Sequence, residues 1–185
     1  MSGTLYGIGL GPGDPELLTL KAVRILSNVP AIAFPVPDSG HSMARAIAAP
    51  YLRPGLAEIG FGLCMRIDSA PGQAAYDDAA DAIAARLQGG EDVALLCEGD
   101  PFFYGSFLYL FERLAGRFRV DIVPGISSPM AAAAAMRTPL ARRNETFAVI
   151  PAPLPDAQIA ARLAVADAFC ICLLYTSPSP RDATL

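Results

Sequence analysis

Asp92-Val93-Ala94-Leu95-Leu96-Cys97-Glu98-Gly99-Asp100-Pro101 decides the fold class. Five apolar residues in succession, with no polar alternation, describe a strand buried on both faces, as in a parallel sheet covered by helices. The strand runs into an acidic turn whose glycine frees the backbone for a tight reversal or for close approach by a ligand. Upstream, Gln73 to Gln88 reads as a helix. Tyr76, Ala79, Ala80, Ile83, Ala84 and Leu87 share one face, and Gly89-Gly90 ends it. Downstream, Ser106 to Ala115 is helical and stops at Gly116, and Phe118, Val120 and Ile122 then alternate with Arg119 and Asp121 as a strand.

The same alternation extends to both ends. Leu5 to Leu10 reads as a short buried strand entering Gly11-Pro12-Gly13-Asp14-Pro15, where Asp14 suits an N-cap and Pro15 the first helical position. Leu17, Leu18, Leu20, Ala22 and Ile25 continue at helical spacing. Ala31 to Phe34 reads as a second strand and Ser42 to Tyr51 as a second helix. Pro124 to Pro129 makes another turn, with Ser128 as N-cap of an alanine-rich helix to Met136. Strand and helix alternate throughout, which predicts an α/β fold: an open, mostly parallel sheet with helices on both faces.

Composition narrows the class. The chain has 185 residues, 53% of them hydrophobic and 17% charged, with mean hydropathy +0.39. That suits one domain, or one domain and part of another, with a sizeable core. No apolar run approaches the roughly 18 residues of a membrane span, and Gly7 to Asp14 interrupts any signal-peptide pattern. Cys64, Cys97, Cys170 and Cys172 form no CxxC pair, so neither a disulfide framework nor structural zinc is expected. A cytoplasmic location is the expectation. Net charge −4 argues against a nucleic-acid partner. It leaves room for a small anionic substrate held by a local arginine cluster.

Three strand-to-helix turns carry the candidate chemistry: Gly9 to Asp14, Glu98 to Pro101, and Pro124 to Ser128. In open α/β sheets ligands bind outside the carboxyl ends of the strands, so these turns are expected to form one rim. The first turn fails both phosphate fingerprints. Reading GxGxxG from Gly7 puts Pro12 at the third glycine, reading it from Gly9 puts Asp14 there, and no GK[ST] follows. A cofactor not gripped through phosphates gains ground over NAD and ATP. Asp100 either caps the next helix or accepts a hydrogen bond from a ligand hydroxyl or ammonium. Phe103 and Tyr104 suit the core better than a stacking role. His41, the single histidine, lies in a polar loop with no metal-ligating partner, so no metal is expected. Among Arg45, Arg53, Arg66, Arg137, Arg142 and Arg143, the tandem Arg142-Arg143 is the better candidate for a carboxylate clamp. No Ser/His/Asp or Cys/His arrangement can be nominated.

Leu5-Tyr6-Gly7-Ile8-Gly9-Leu10-Gly11-Pro12-Gly13-Asp14-Pro15-Glu16-Leu17-Leu18-Thr19 resembles the opening of the tetrapyrrole methylases. Glu98-Gly99-Asp100-Pro101-Phe102-Phe103-Tyr104-Gly105-Ser106 is similar to the GDP motif of that family, and Val123 to Ser128 to its third loop. Three matches in order are far more specific than any one, and the likeness covers about residues 3 to 170. Glu98 to Leu114, Ser42 to Ile47 and Pro139 to Asn144 resemble the branch that methylates precorrin-2 at C20.

The resemblance implies two α/β domains enclosing a cleft, with S-adenosylmethionine folded between them and no metal. Leu10, Pro12, Gly99, Asp100, Phe103, Ser127 and Ser128 would contact that cofactor, Gly99-Asp100 at its methionine portion or ribose. Arg45, Arg142 and Arg143 would meet the carboxylates of the tetrapyrrole substrate. The implied activity is methyl transfer to C20 of precorrin-2 in cobalamin biosynthesis, by a homodimer in the complete enzyme. A base must remove the C20 proton, and the sequence nominates none. Methylation at another macrocycle position, or a non-catalytic ligand-binding module, are the competing readings.

The domain expectation is an N-terminal α/β domain over residues 1–150, then a linker and the start of a second α/β domain over 151–171. Residues 172–185 have no family counterpart that can be placed. They resemble translated adapter read-through, with a genuine Pro/Ser-rich tail as the alternative. On that expectation the chain binds the cofactor weakly and lacks turnover.

Overall fold

The computed structural model describes residues 2–37, 40–62 and 70–174, with the side chains of 70–72 excepted. Asp38, Ser39, Cys64, Arg66 and the tail from Tyr175 lie outside the described residues. The chain forms two compact units, 1–128 and 129–185.

The first unit carries five strands: β1 (Thr4–Gly9), β2 (Ala31–Val36), β3 (Ala57–Gly62), β4 (Val93–Cys97) and β5 (Arg119–Val123). They pair in the order β3-β2-β4-β1-β5, every pair parallel. The helices are α1 (Leu20–Leu26), α2 (Met43–Ala48), α3 (Ala70–Gln88) and α4 (Phe107–Leu114). The expected α/β class is the observed one.

The central strand shows why the sheet needs two covers. Val93, Leu95 and Cys97 point into a core with Tyr76, Ile83 and Leu87 of α3 and Phe107, Leu110 and Leu114 of α4. Ala94 and Leu96 point the other way, against Ala22 and Leu26 of α1 and Ala44, Ile47 and Ala48 of α2. Period-two alternation with both faces apolar is satisfied only by helices above and below. All six residues of the α3 stripe named above are buried.

Local chemistry divides the first helix in two. Asp14 Oδ1 accepts the Glu16 N–H at 2.9 Å and caps a short 3₁₀ turn, Pro15–Leu17. Leu18 is then extended, and Thr19 Oγ1 caps α1 through the Ala22 N–H at 3.2 Å. Two capping side chains five residues apart stop a continuous helix and start a second. Strand β3 was not anticipated. It is an edge strand with Glu58, Gly60 and Gly62 exposed, so it lacks the apolar run that identified β4.

The second unit holds β6 (Phe147–Pro151), α6 (Asp156–Leu163) and β7 (Ala168–Cys172), preceded by α5 (Ser128–Met136), which begins at the boundary. Strands β6 and β7 pair in parallel as a separate sheet. Within this unit β6 finds its partner in β7 across the α6 crossover. Ser128 is the first helical residue of α5 rather than its cap.

Candidate functional site

Strands β4, β1 and β5 are neighbours, so the turns that follow them emerge side by side at one sheet edge. The β1 chain leaves toward α1 on one face and the β4 chain toward α4 on the other. Adjacent strands whose connections part in this way create the crevice where α/β sheets bind ligands.

Backbone hydrogen bonds tie the three turns together. Leu10 N donates to Cys97 O at 2.9 Å, Gly11 N to Gly99 O at 3.2 Å, and Gly99 N to Gly11 O at 2.8 Å. Gly11 and Gly99 thus form an isolated antiparallel bridge between the first and second turns. The Asp100 carboxylate adds the third turn, accepting the Gly125 N–H on Oδ2 at 3.0 Å and the Phe102 N–H on Oδ1 at 2.9 Å.

The glycines of this rim divide by what lies on their side-chain face. A Cβ on Gly9 would meet Gly99 O at 2.9 Å and Gly125 Cα at 2.6 Å, and one on Gly125 would strike Gly99 O. These two are glycine because three backbones meet. Gly99 has φ +68° and open space where a Cβ would be, and so does Gly13 at φ +137°. Both are glycine for conformation, and they leave the backbone approachable from outside.

Around this frame the second turn is aromatic. Tyr104 is 50% exposed and sits at φ 56°, a conformation that costs a non-glycine residue energy and that clusters at functional loops. Its ring packs edge-on to Phe103, with centroids 5.0 Å apart. The expectation that Phe103 and Tyr104 belong to the core is corrected, since both are exposed; Phe102 is exposed too, although its ring packs on Phe107 and Phe111.

Glu98 lies at the exit of β4, near the Ala44 main chain at the start of α2. Desolvation by its packed neighbours raises its pKa above the usual glutamate range, and the nearby Ala44 N–H partly offsets this. Glu98 still presents an exposed edge to solvent. The neighbouring Cys97 is fully desolvated and its thiol pKa is pushed up, which keeps it a packing residue rather than a nucleophile.

The profile of the Tetrapyrrole (Corrin/Porphyrin) Methylases matches residues 4–183. The chain belongs to the tetrapyrrole methylases. The chain is 46% identical over 174 residues to the cobalamin biosynthesis protein CobIJ of Mycobacterium tuberculosis, covering 90% of the chain and 34% of that protein. It is 37% identical over 174 residues to the precorrin-2 C(20)-methyltransferase of a Sinorhizobium species, covering 90% of the chain and 71% of that enzyme. The chain therefore spans about a third of the CobIJ length. Its fold matches uroporphyrin-III C-methyltransferase from Thermus thermophilus, solved with S-adenyl homocysteine, at TM-score 0.65 and 24% identity, covering 97% of this chain and 79% of that one. The family match includes residues 172–183, most of the segment expected to have no family counterpart.

The residues expected to hold a cofactor divide by location. Pro12, Gly99, Asp100, Phe103, Ser127 and Ser128 all belong to the three turns of the first unit, or to the residue that ends them. Leu10 is 0% exposed and its side chain lies in the α1/α2 core, so it can offer a ligand only main chain. Asp100 does not cap α4, which starts at Phe107 without a side-chain cap from Ser106. It caps the turn at Phe102 instead.

The arginines of the expected clamp divide between the two units. Arg45 on α2 is committed to Glu58 on β3 through Nε to Oε2 at 3.2 Å and a terminal nitrogen to Oε1 at 2.8 Å, and that pairing raises its pKa. Arg142 and Arg143 are exposed residues of the second unit. Arg143 has φ 41°, and Arg142 N donates to Glu145 Oε2 at 2.7 Å. Sequence reasoning missed Glu98 as a crowded carboxyl, the Glu58 partner of Arg45 and the backbone contact of Gly9 with Gly125. A glycine in each of three turns was the available signal for the last. No group of three metal-ligating side chains comes together among the described residues, and no helix among them is long and apolar enough to cross a membrane.

Proposed function

We propose that the protein to which this chain belongs transfers a methyl group from S-adenosylmethionine to C20 of precorrin-2, a step of cobalamin biosynthesis. The carrying observation is the rim itself: three turns at the ends of β4, β1 and β5, bonded to one another, with Gly99 and Gly13 open toward a ligand. Membership of a methylase family supports the reaction class, and the likeness to the Sinorhizobium C(20) enzyme favours the position.

The rim suits this cofactor. It offers main-chain donors and acceptors and a carboxylate rather than a phosphate cradle, and its exposed aromatic rings at Phe103 and Tyr104 give it an apolar wall. Pro12, Gly99, Asp100, Phe103, Ser127 and Ser128 would hold it. Bound there, it supplies an electrophilic methyl for an electron-rich carbon of the substrate. The chain's residues contribute binding, alignment and exclusion of water. Arg142 and Arg143 would meet substrate carboxylates, and Arg45 could do so with donors other than the two it gives Glu58. We assign the complete enzyme to the cytoplasm, as a homodimer.

Calorimetry with S-adenosylmethionine, NAD and ATP tests the cofactor: preference for the sulfonium compound is expected, and equal or reversed preference overturns it. The methyl position in the product formed from precorrin-2 by the complete protein tests the substrate. A second reading, methylation at another macrocycle carbon, is favoured by the higher identity to CobIJ, whose name specifies no position. A product methylated elsewhere than C20 would establish it.

A further inference from the structure

Asp100 commits both carboxylate oxygens to its own protein. Oδ1 takes the Phe102 N–H at 2.9 Å and closes the turn that presents Phe103 and Tyr104. Oδ2 takes the Gly125 N–H at 3.0 Å. Strands β4 and β5 are not neighbours, since β1 lies between them, so this second bond spans the end of β1 and fixes the start of the Gly125–Ser128 segment. Gly9 leaves the room for that span, as its missing side chain is where Gly125 passes. Each oxygen keeps a second lone pair, but a carboxylate turned outward to make a ligand its main partner would leave two amide donors unpaired in a crowded place, which offsets the hydrogen bond gained.

We propose that Asp100 is a positioning residue: it braces the second and third turns against each other, and the ligand is met by the main chain of Gly99 and the Gly125–Ser128 segment that it holds in place. The inference rests on the cofactor reading above and refines how the rim performs it. The free side-chain face of Gly99 supports the assignment, because ligand atoms can reach its backbone directly.

Asp100→Asn separates the roles. The amide oxygen still accepts from Phe102, while its NH₂ group faces the Gly125 N–H, donor against donor. Three probes are titrated into the 185-residue chain and the variant: S-adenosylhomocysteine, methylthioadenosine, which lacks the amino-acid portion, and the deoxyribose analogue of methylthioadenosine. Positioning predicts that all three lose affinity by one common factor, roughly 10- to 100-fold for one charge-assisted hydrogen bond. Direct contact predicts that the variant loses the wild-type preference for the amino-acid portion or for the ribose hydroxyl while other affinity persists, and that result overturns the proposal. Unchanged affinity for all three overturns it as well. Wild-type protein that binds none of the probes defeats the cofactor reading itself, a distinguishable failure.

A second measurement needs no variant. The Gly125 amide, followed by nuclear magnetic resonance in wild-type protein, keeps its hydrogen-bonded shift and its slow exchange on addition of S-adenosylhomocysteine if Asp100 is a brace. Loss of that bond on ligand addition shows the carboxylate turning to the ligand and refutes the brace.

Discussion

Gly9 and Gly125 meet backbone to backbone, so closely that a Cβ atom on Gly9 would lie 2.6 Å from Gly125 Cα. The contact joins the first and third turns directly, and Gly99 O lies against both. It makes the rim a single object rather than three adjacent loops.

Gly125→Ala must therefore push backbone against backbone, with no flexible side chain to yield. A loss of about 1–3 kcal/mol is expected from overpacking alone, read from urea unfolding, together with weaker cofactor binding. Gly116→Ala is the control, with nothing within 4 Å of its added Cβ. Its stability should stay within about 0.5 kcal/mol of wild type. Equal effects at the two glycines would contradict the packing described.

Glu98 gives a pH signature with a definite sign. Its folded pKa is raised, so between the unfolded value and the folded one the native state holds the proton and the unfolded state releases it. Stability contributed by this group falls as pH rises through that window. Glu98→Gln keeps an acceptor near the Ala44 N–H and removes the penalty. The variant is expected to be the more stable protein near neutral pH and to converge on wild type below about pH 4. Thermal melts across that range decide it, and a wild-type advantage at neutral pH would show the carboxylate to be net stabilising.

Arg45 and Glu58 join α2 to β3 with two hydrogen bonds but remain about a third exposed, at 35% and 37% of their side chains. A double-mutant cycle should return a coupling of roughly 0.2–1 kcal/mol. The coupling should shrink in high salt. A coupling that resists salt would show a pair more secluded than the structure gives.

Ser42 is 8% exposed, and its Oγ accepts the Arg45 N–H at 3.2 Å to cap α2. Ser42→Ala should cost about 1 kcal/mol. The measurement is urea unfolding, and an unchanged midpoint would show that the cap carries no stability.

What could be read in advance follows from physical range. Strand β4 and helix α3 were legible because each carries its own signal, a doubly apolar run in one and a stripe at 3.6-residue spacing in the other. Strand β3 was not, since Glu58, Gly60 and Gly62 form an edge held by pairing with β2 rather than by apolar content. In the rim, glycine and aspartate marked where the turns lie. Their division of labour stayed hidden, because whether a glycine is filled by a neighbour or open to a ligand depends on chain segments far away. The two acceptors of Asp100 and the partner of Arg45 are hidden for the same reason. The family likeness located the turns, and only coordinates show Leu10 turned inward and Phe103 turned outward.

The strand order has a kinetic consequence. Thr4 N is bonded to the carboxylate of Asp92, 88 residues on, and β4 enters between β2 and β1, both made long before it. Until it arrives, β1 has no partner and the β2–β3 pair leaves open the edge that β4 will occupy, with no hairpin to shelter either. A topology so dominated by distant partners folds slowly, and its early chain is vulnerable to association with other copies. Yield on refolding should accordingly depend on protein concentration more steeply than native stability would suggest.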